Sequence, residues 1–200
     1  MNLRGLLSLE AAFDADPTLK EEMLGESWFP WRGTLMEGWR QLSPKQKGAL
    51  GERIADTMMR DQLGHDIARR INPGHDSIIN GIKVEYKTSA ASKCSSGNNV
   101  LRQDEAMMNH ASAGKDWERL VFLVFNISED KLEQVDPSQI VPQLSWFTKE
   151  DFERSIAAGT GGRDNPFSRQ QAGEDGGNDD YMSSLKRLKK HEILRPIAEF

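Results

Sequence analysis

The chain holds 200 residues with 31 acidic and 26 basic side chains, a formal net charge of −5 and a single cysteine. That length serves one domain with a sizeable core; the lone Cys94 excludes an intramolecular disulfide, a cysteine-rich zinc site and a secreted disulfide scaffold, and reads as an inert loop thiol. No stretch approaches about 18 consecutive apolar residues, and Glu10, Asp14 and Asp16 follow too soon after a short apolar start for a signal peptide, so a cytoplasmic protein without a membrane span is expected.

The acidic balance argues against wholesale coating of nucleic acid and leaves room for local phosphate-binding charge. Residues 1–43 read as a helical segment packed on the core. Leu3, Leu6, Leu7 and Leu9 are apolar, and Asp16-Pro17 signals a helix start. Trp28, Phe29, Trp31 and Trp39 follow as aromatics expected to pack inward, with a dimer surface or a stacking platform for bases as the alternative.

Ser43-Pro44-Lys45-Gln46 opens a helix: Ser as N-cap, Pro at the first helical position and Gln placed for a capping box. The helix is expected to reach about Leu63, with Gly64 as its stop. On the wheel Glu52 falls beside Ala55, Met59 and Leu63, at the margin of a buried face, whereas Arg53, Asp56 and Arg60 form a polar stripe. A carboxylate at that margin needs a partner. Residues 67–71 read as a strand or extended lead-in, and Pro73-Gly74 turns the chain. His65 and His75 stand ten residues apart, which matches no closed zinc pattern. His75 reads as a phosphate contact or a turn residue.

Residues 76–87 carry the strongest local signal. Asn80-Gly81 between two short apolar runs predicts a type I′ hairpin, because both central positions need positive φ. Counting outward pairs Ile79 with Ile82, Ile78 with Lys83, Ser77 with Val84 and Asp76 with Glu85. Opposed residues hold their Cβ atoms roughly 4.5–5.5 Å apart, so two carboxylates meet. Their repulsion, roughly 3 kcal/mol at an effective dielectric near 20, calls for a compensating positive charge. A hard divalent cation such as Mg²⁺ supplies it with one or two carboxylates and several waters. Lys87 shares the face of Glu85 and can orient a water aimed at a phosphodiester. The competing view is an ordinary charge ladder of Lys83, Glu85 and Lys87, which leaves two facing acids unexplained.

Asp76, an eight-residue gap and then Glu85-Tyr86-Lys87 resembles the motif of the PD-(D/E)XK nuclease superfamily, which includes many type II restriction endonucleases. The family's proline before the first Asp is replaced here by His75. The resemblance covers roughly residues 44–127. It implies an α/β, restriction-endonuclease-like core, a central mixed β-sheet flanked by helices. Carried over by position, Asp76, Glu85 and the Tyr86 carbonyl would be metal ligands. Lys87 would be the water-orienting residue, and Glu52 the family's acidic residue on the preceding helix. The implied activity is Mg²⁺-dependent hydrolysis of double-stranded DNA, most simply by a type II restriction enzyme. Implied with it are a homodimer on a palindromic site and a cognate DNA methyltransferase in the same system. The alternatives are a nicking or nuclease subunit of a larger complex, or a noncatalytic nucleic-acid- or protein-binding module.

Beyond Lys87, residues 88–99 form a polar loop in which Lys93, Ser95, Asn98 and Asn99 are candidate DNA contacts. Residues 101–113 read as a helix with Leu101, Met108 and Ala111 inward and Arg102, Gln103 and Asp104 more exposed; the resemblance implies that Arg102 and Gln103 face a substrate groove. The run Leu-Val-Phe-Leu-Val-Phe at 120–125 is the signature of a strand buried on both faces, expected beside the hairpin. A further strand is expected over residues 132–135, and Asp136-Pro137-Ser138 starts a turn or a short helical segment. Thr148 caps a helix running through Phe152 and Ile156 to Gly159.

Residues 159–180 are Gly-rich and read as a flexible loop, following a nuclease core over 44–158. Residues 181–200 form a basic C-terminal segment. There Lys186, Lys189 and Lys190 are candidate DNA contacts, and Leu185, Leu188 and Ile193 hold the segment to the body.

Overall fold

The computed structural model describes residues 9–16, 18, 42–72, 74–91, 106–128, 142–161, 164–169 and 180–200. A short helix, α1 (Leu9–Ala15), precedes the main helix α2 (Pro44–Thr57). The expected capping box of α2 is present: Ser43 Oγ accepts the Gln46 N–H at 3.3 Å, and Gln46 Oε1 accepts the Ser43 N–H at 2.9 Å. A single π turn, Met58–Gln62, extends the helix, and Gly64 at φ +74° ends it where expected.

Strands β1 (Ile67–Asn72), β2 (His75–Ile79) and β3 (Ile82–Ala91) form an antiparallel meander. Asn80 and Gly81 take φ values of 50° and 82°, the positive pair that a type I′ turn requires. The ladder aligns Ile79 with Ile82, Ile78 with Lys83 and Ser77 with Val84, as the turn chemistry predicts. After β4 (Met107–Ser112) comes β5 (Arg119–Ser128), which lies parallel to β3 and beside it. Its residues 120–125 are fully buried, matching the doubly covered strand read from the apolar run.

Strand β6 (Pro142–Thr148) pairs antiparallel with β5, and α3 (Lys149–Ala157) follows, capped by Thr148 Oγ1 on the Asp151 N–H at 3.0 Å. Beyond it lie β7 (Ser168–Arg169), β8 (Asp180–Ser184), α4 (Leu185–Lys190) and β9 (Arg195–Pro196). The described chain is thus mixed α/β, with a six-stranded mixed sheet in the order β1-β2-β3-β5-β6-β9 and a three-stranded sheet in the order β4-β8-β7. Alternation along the strands divides the core. Val84, Tyr86, Val121, Leu123 and Trp146 pack with Leu50 and Ile54 of α2 and with Met58 and Met59 of the π turn that follows it. Leu120, Phe122, Val124 and Phe147 pack on the other face with Phe152 of α3, Leu185 and Leu188 of α4, and the small sheet.

Four expectations change. Residues 88–91, read as the start of a polar loop, continue strand β3 because each pairs with β5. Residues 107–112, read as part of a helix, are strand β4 paired with β8. Met and Ala favour helix weakly, and ladder pairing together with burial of Met108 and Ala111 overrides that preference. Within the Gly-rich stretch, Phe167 is fully buried among Phe147, Phe152 and Tyr181, and Ser168–Arg169 pairs with β8, so this part is tied to the core. Asp56, placed on a polar stripe, is buried. Strand β6 was not foreseen.

The C-terminal segment packs through Leu185, Leu188 and Ile193 as expected, and β9 also completes one edge of the large sheet. Thr18 is helical, and Asp16 Oδ1 accepts its N–H at 3.1 Å, which fits the helix start read at Asp16-Pro17. Trp28, Phe29, Trp31, Trp39, Cys94, the strand and turn expected over 132–138 and residues 170–179 of the Gly-rich stretch lie outside the described residues. No described helix is long and apolar enough to cross a membrane.

Candidate active site

Strand alternation sets the site. Tyr86 and Thr88 face α2, so Glu85 and Lys87 face the opposite side, toward the small sheet. The parallel register places Glu85 beside Leu120 and Lys87 beside Phe122, so the charged pair emerges from a floor of fully buried apolar residues. Across the hairpin Asp76 shares that side. Its Oδ2 accepts the Tyr86 backbone N–H at 2.7 Å, which clips the end of β2 to β3 through a side chain.

Glu85 is 1% exposed, and its Oε1 accepts two ammonium groups, Lys87 Nζ at 2.6 Å and Lys115 Nζ at 2.7 Å. Its other oxygen, Oε2, is buried without a hydrogen-bond partner among the described residues. Burial raises the pKa of Asp76, and the charge of Glu85 raises it further, against the lowering effects of the Tyr86 N–H, Lys87 and Lys115. The charges of the two acids thus act on one another, while the hairpin ladder itself ends at Ser77 and Val84, one pair short of the expected Asp76–Glu85 pair. Lys115 is pulled down by burial, but its hydrogen bond to Glu85 and the charges of Glu85, Asp76 and Asp180 prevail and raise it.

Lys115 was not singled out from the sequence. It sits in the turn between β4 and β5, and that turn is held at several points. Lys149 Nζ donates to the Lys115 carbonyl at 2.6 Å, Trp117 Nε1 donates to the Ser112 carbonyl at 2.9 Å, and Lys83 pairs with Asp116 at 2.6 Å. Two more bonds complete the attachment: the Glu118 N–H donates to the Lys83 carbonyl, and the Glu118 side-chain Oε2 accepts the Lys83 N–H, each at 2.9 Å. A lysine thirty positions from its carboxylate leaves no spacing signal, and only the parallel β3–β5 pairing brings the two together.

Behind the strand, the Tyr86 side chain is anchored in α2. Its hydroxyl donates to Asp56 Oδ1 at 2.5 Å, and Ser77 Oγ donates to both Asp56 oxygens at 3.0 Å. Burial, followed by the charge of Asp56, pushes the Tyr86 phenol well above its ordinary pKa. Asp56 thus fixes β2 and β3 from the face opposite the site.

Glu52 is half-buried on α2, next to Gly51. A Cβ on Gly51 would lie 2.0 Å from Thr88 Oγ1, so α2 rests directly on the Thr88 side of β3. Glu52 consequently belongs to the layer behind the strand, whereas Asp76, Glu85, Lys87 and Lys115 gather in front of it. His75, read as a phosphate contact or turn residue, is a strand residue only 4% exposed, and neither ring nitrogen has a partner among the described residues. His65 Nδ1 instead accepts a hydrogen bond from Asn80 Nδ2 at 2.8 Å.

Lys186, Lys189 and Lys190 are exposed on α4, with Lys190 Nζ 3.9 Å from Asp164 Oδ1. The candidate contacts Lys93, Ser95, Asn98, Asn99, Arg102 and Gln103 lie outside the described residues. Among the described residues no three His, Cys, Asp or Glu side chains form a ready-made metal cage. The acidic ligands that the site offers are the two carboxylates of Asp76 and Glu85, a set suited to an oxygen-seeking ion that keeps several waters. Comparison with protein-family models, curated proteins and solved structures yields no match.

Proposed function

We propose that the chain is a Mg²⁺-dependent DNA endonuclease with a restriction-endonuclease-like core, acting as a site-specific type II enzyme on double-stranded DNA. The observation that carries this reading is the buried Oε2 of Glu85, which has no hydrogen-bond partner among the described residues and whose carboxylate acts on that of Asp76. A buried carboxylate oxygen without a donor is costly, and a divalent cation removes that cost. Asp76 and Glu85, with the Tyr86 carbonyl, would hold the ion. When bound, it supplies positive charge to the phosphoryl oxygens and makes water more acidic.

The protein's own residues do the rest. Lys87, fixed on β3 with its ammonium 2.6 Å from Glu85, donates hydrogen bonds that position the attacking water. Water oxygen bonds to phosphorus as the bond to the 3′ oxygen breaks. The 3′ oxygen leaves with a proton, giving a 5′-phosphate and a 3′-hydroxyl. Cutting both strands of a palindrome fits a symmetric homodimer.

A noncatalytic binding module is the second reading. It is favoured by the internal neutralisation of Glu85, which already has Lys87 and Lys115 on one oxygen. The two are separated by incubating wild-type protein and Glu85→Gln with unmodified phage-length duplex DNA, with and without Mg²⁺. Discrete Mg²⁺-dependent fragments that disappear in the variant support the nuclease. Intact DNA across varied sequence, methylation state and divalent ion favours the binding module.

A further inference from the structure

Two ammonium groups on a single carboxylate oxygen are an unusual concentration of like charge, and they bear directly on what the site does once a cation and substrate arrive. The four side chains Asp76, Glu85, Lys87 and Lys115 are balanced when all are ionised, two negative against two positive. A divalent cation at the carboxylates adds two positive charges that nothing in this group offsets, so the loaded site calls for an anion. A phosphodiester is such an anion.

Of the two lysines, Lys87 is held in strand β3, two residues from Glu85, and its side chain is 18% exposed. Lys115 comes from the β4–β5 turn on a long stem and is 37% exposed, so its ammonium is the one with room to swing outward. Its backbone is firmly placed by the bonds from Lys149 and the Lys83–Asp116 pair, which fixes the origin of that swing.

We propose that Lys115 is the phosphate-binding residue of the site, resting on Glu85 in the metal-free protein and turning to the DNA backbone when a divalent cation occupies the carboxylates. This inference rests on the nuclease reading and adds to it a residue outside the motif. Lys115 then has two opposed effects, competing with the metal when DNA is absent and holding the phosphate when DNA is present.

The test compares wild-type protein with Lys115→Met in two binding measurements that need no turnover. The first is the thermal shift produced by titrating Mg²⁺, or Ca²⁺, without DNA. Removing the competing cation is expected to tighten apparent metal affinity by roughly fivefold, the scale of one partly buried ion pair. The second is binding of a mixed-sequence duplex in Ca²⁺ at several salt concentrations. Loss of one phosphate contact is expected to weaken binding and to reduce the slope of log affinity against log salt by about one. Lys115→Arg, which keeps the cation, is expected to resemble wild type in both.

A merely structural lysine moves neither quantity in this pattern. If metal affinity in Lys115→Met is unchanged or weaker, or the salt slope is unchanged, the inference is overturned while the nuclease reading stands on the wild-type cleavage result. A wild-type protein that shows no divalent-ion shift overturns both. Lys115→Gln gives the same two readings should the methionine variant fail to fold.

Discussion

The Tyr86 hydroxyl donates to Asp56 Oδ1 at 2.5 Å, joining strand β3 to helix α2 directly behind the carboxylate pair. Because Tyr86 lies between Glu85 and Lys87, this bond sets the rotation of the strand that presents them. Tyr86→Phe keeps the ring and removes one hydrogen bond to a charged acceptor. The expected loss is about 1.5–3 kcal/mol in urea unfolding, with an unchanged m value. Asp56→Ala strands both Tyr86 and Ser77 and is expected to cost more. The phenol's raised pKa also gives a pH signature. Its contribution is complete below the unfolded tyrosine value near 10 and is lost as pH climbs toward the folded value, so wild type is expected to weaken above that pH more steeply than Tyr86→Phe.

The same pair shows where sequence reading succeeds and where it stops. The hairpin register was legible because Asn80-Gly81 demands one turn geometry and the pairing follows by counting. Ser43, Gln46 and Thr148 were legible as caps for the same reason: the chemistry is local. Asp56 was not, because a helical wheel places it by angle and cannot know that Ser77 and Tyr86 arrive to satisfy it. Strand β4 and the role of Lys115 depend on partners far away in sequence, β8 and Glu85, and no pattern in residues 107–115 announces either. Strand β6 begins at a proline and carries few β-branched residues, so only its place between β5 and β9 identifies it.

Asp76 is expected to be a stability liability in the metal-free protein. Burial and then the charge of Glu85 raise its pKa, so the folded state holds the proton more tightly than the unfolded state. Its contribution is therefore complete below the unfolded value near 3.9 and lost as pH rises through the folded value. Asp76→Asn keeps an oxygen for the Tyr86 N–H and removes the charge. In chelator at neutral pH it is expected to raise Tm by roughly 2–4 °C and to flatten the pH profile above the carboxylate range. It is also expected to abolish stabilisation by Mg²⁺. A lower Tm in chelator would break this account.

Lys87→Ala separates chemistry from architecture. Glu85 retains Lys115 at 2.7 Å, so the buried carboxylate keeps a counter-ion and the fold is expected to survive. Cleavage is expected to fall by about 10²–10⁴ fold, the scale of a lost group in proton handling or water positioning. Mg²⁺-induced stabilisation is expected to remain. Single-turnover cleavage beside a thermal melt checks both, and near-normal cutting would remove Lys87 from the mechanism.

At Gly51 the backbone of α2 lies directly against Thr88 of β3. An added Cβ would sit 2.0 Å from Thr88 Oγ1 and 2.6 Å from Thr88 Cβ, so Gly51→Ala must push the helix off the strand. The expected cost is about 1–3 kcal/mol. Pairing it with Thr88→Ala removes Oγ1 and Cγ2 but leaves Cβ, so a partial rescue is expected. Chemical denaturation of the double-mutant cycle measures that coupling, and strict additivity would show that the contact is not what limits this position.

The basic face of α4 offers a test of how duplex DNA would be held. Leu185 and Leu188 bury one side of the helix, leaving Lys186, Lys189 and Lys190 exposed on the other. If these three contact phosphates, replacing all of them with glutamine lowers duplex affinity similarly for every sequence. It also reduces the salt slope by about three, since each phosphate contact adds about 0.9 to it. Base discrimination is expected to persist, because phosphate contacts position the protein without reading sequence. Binding isotherms in Ca²⁺ across salt concentrations, on two unrelated duplexes, check the prediction. An unchanged slope in a variant with wild-type Tm assigns α4 to a solvated surface and moves the search for DNA contacts to the side of the sheet that carries Glu85.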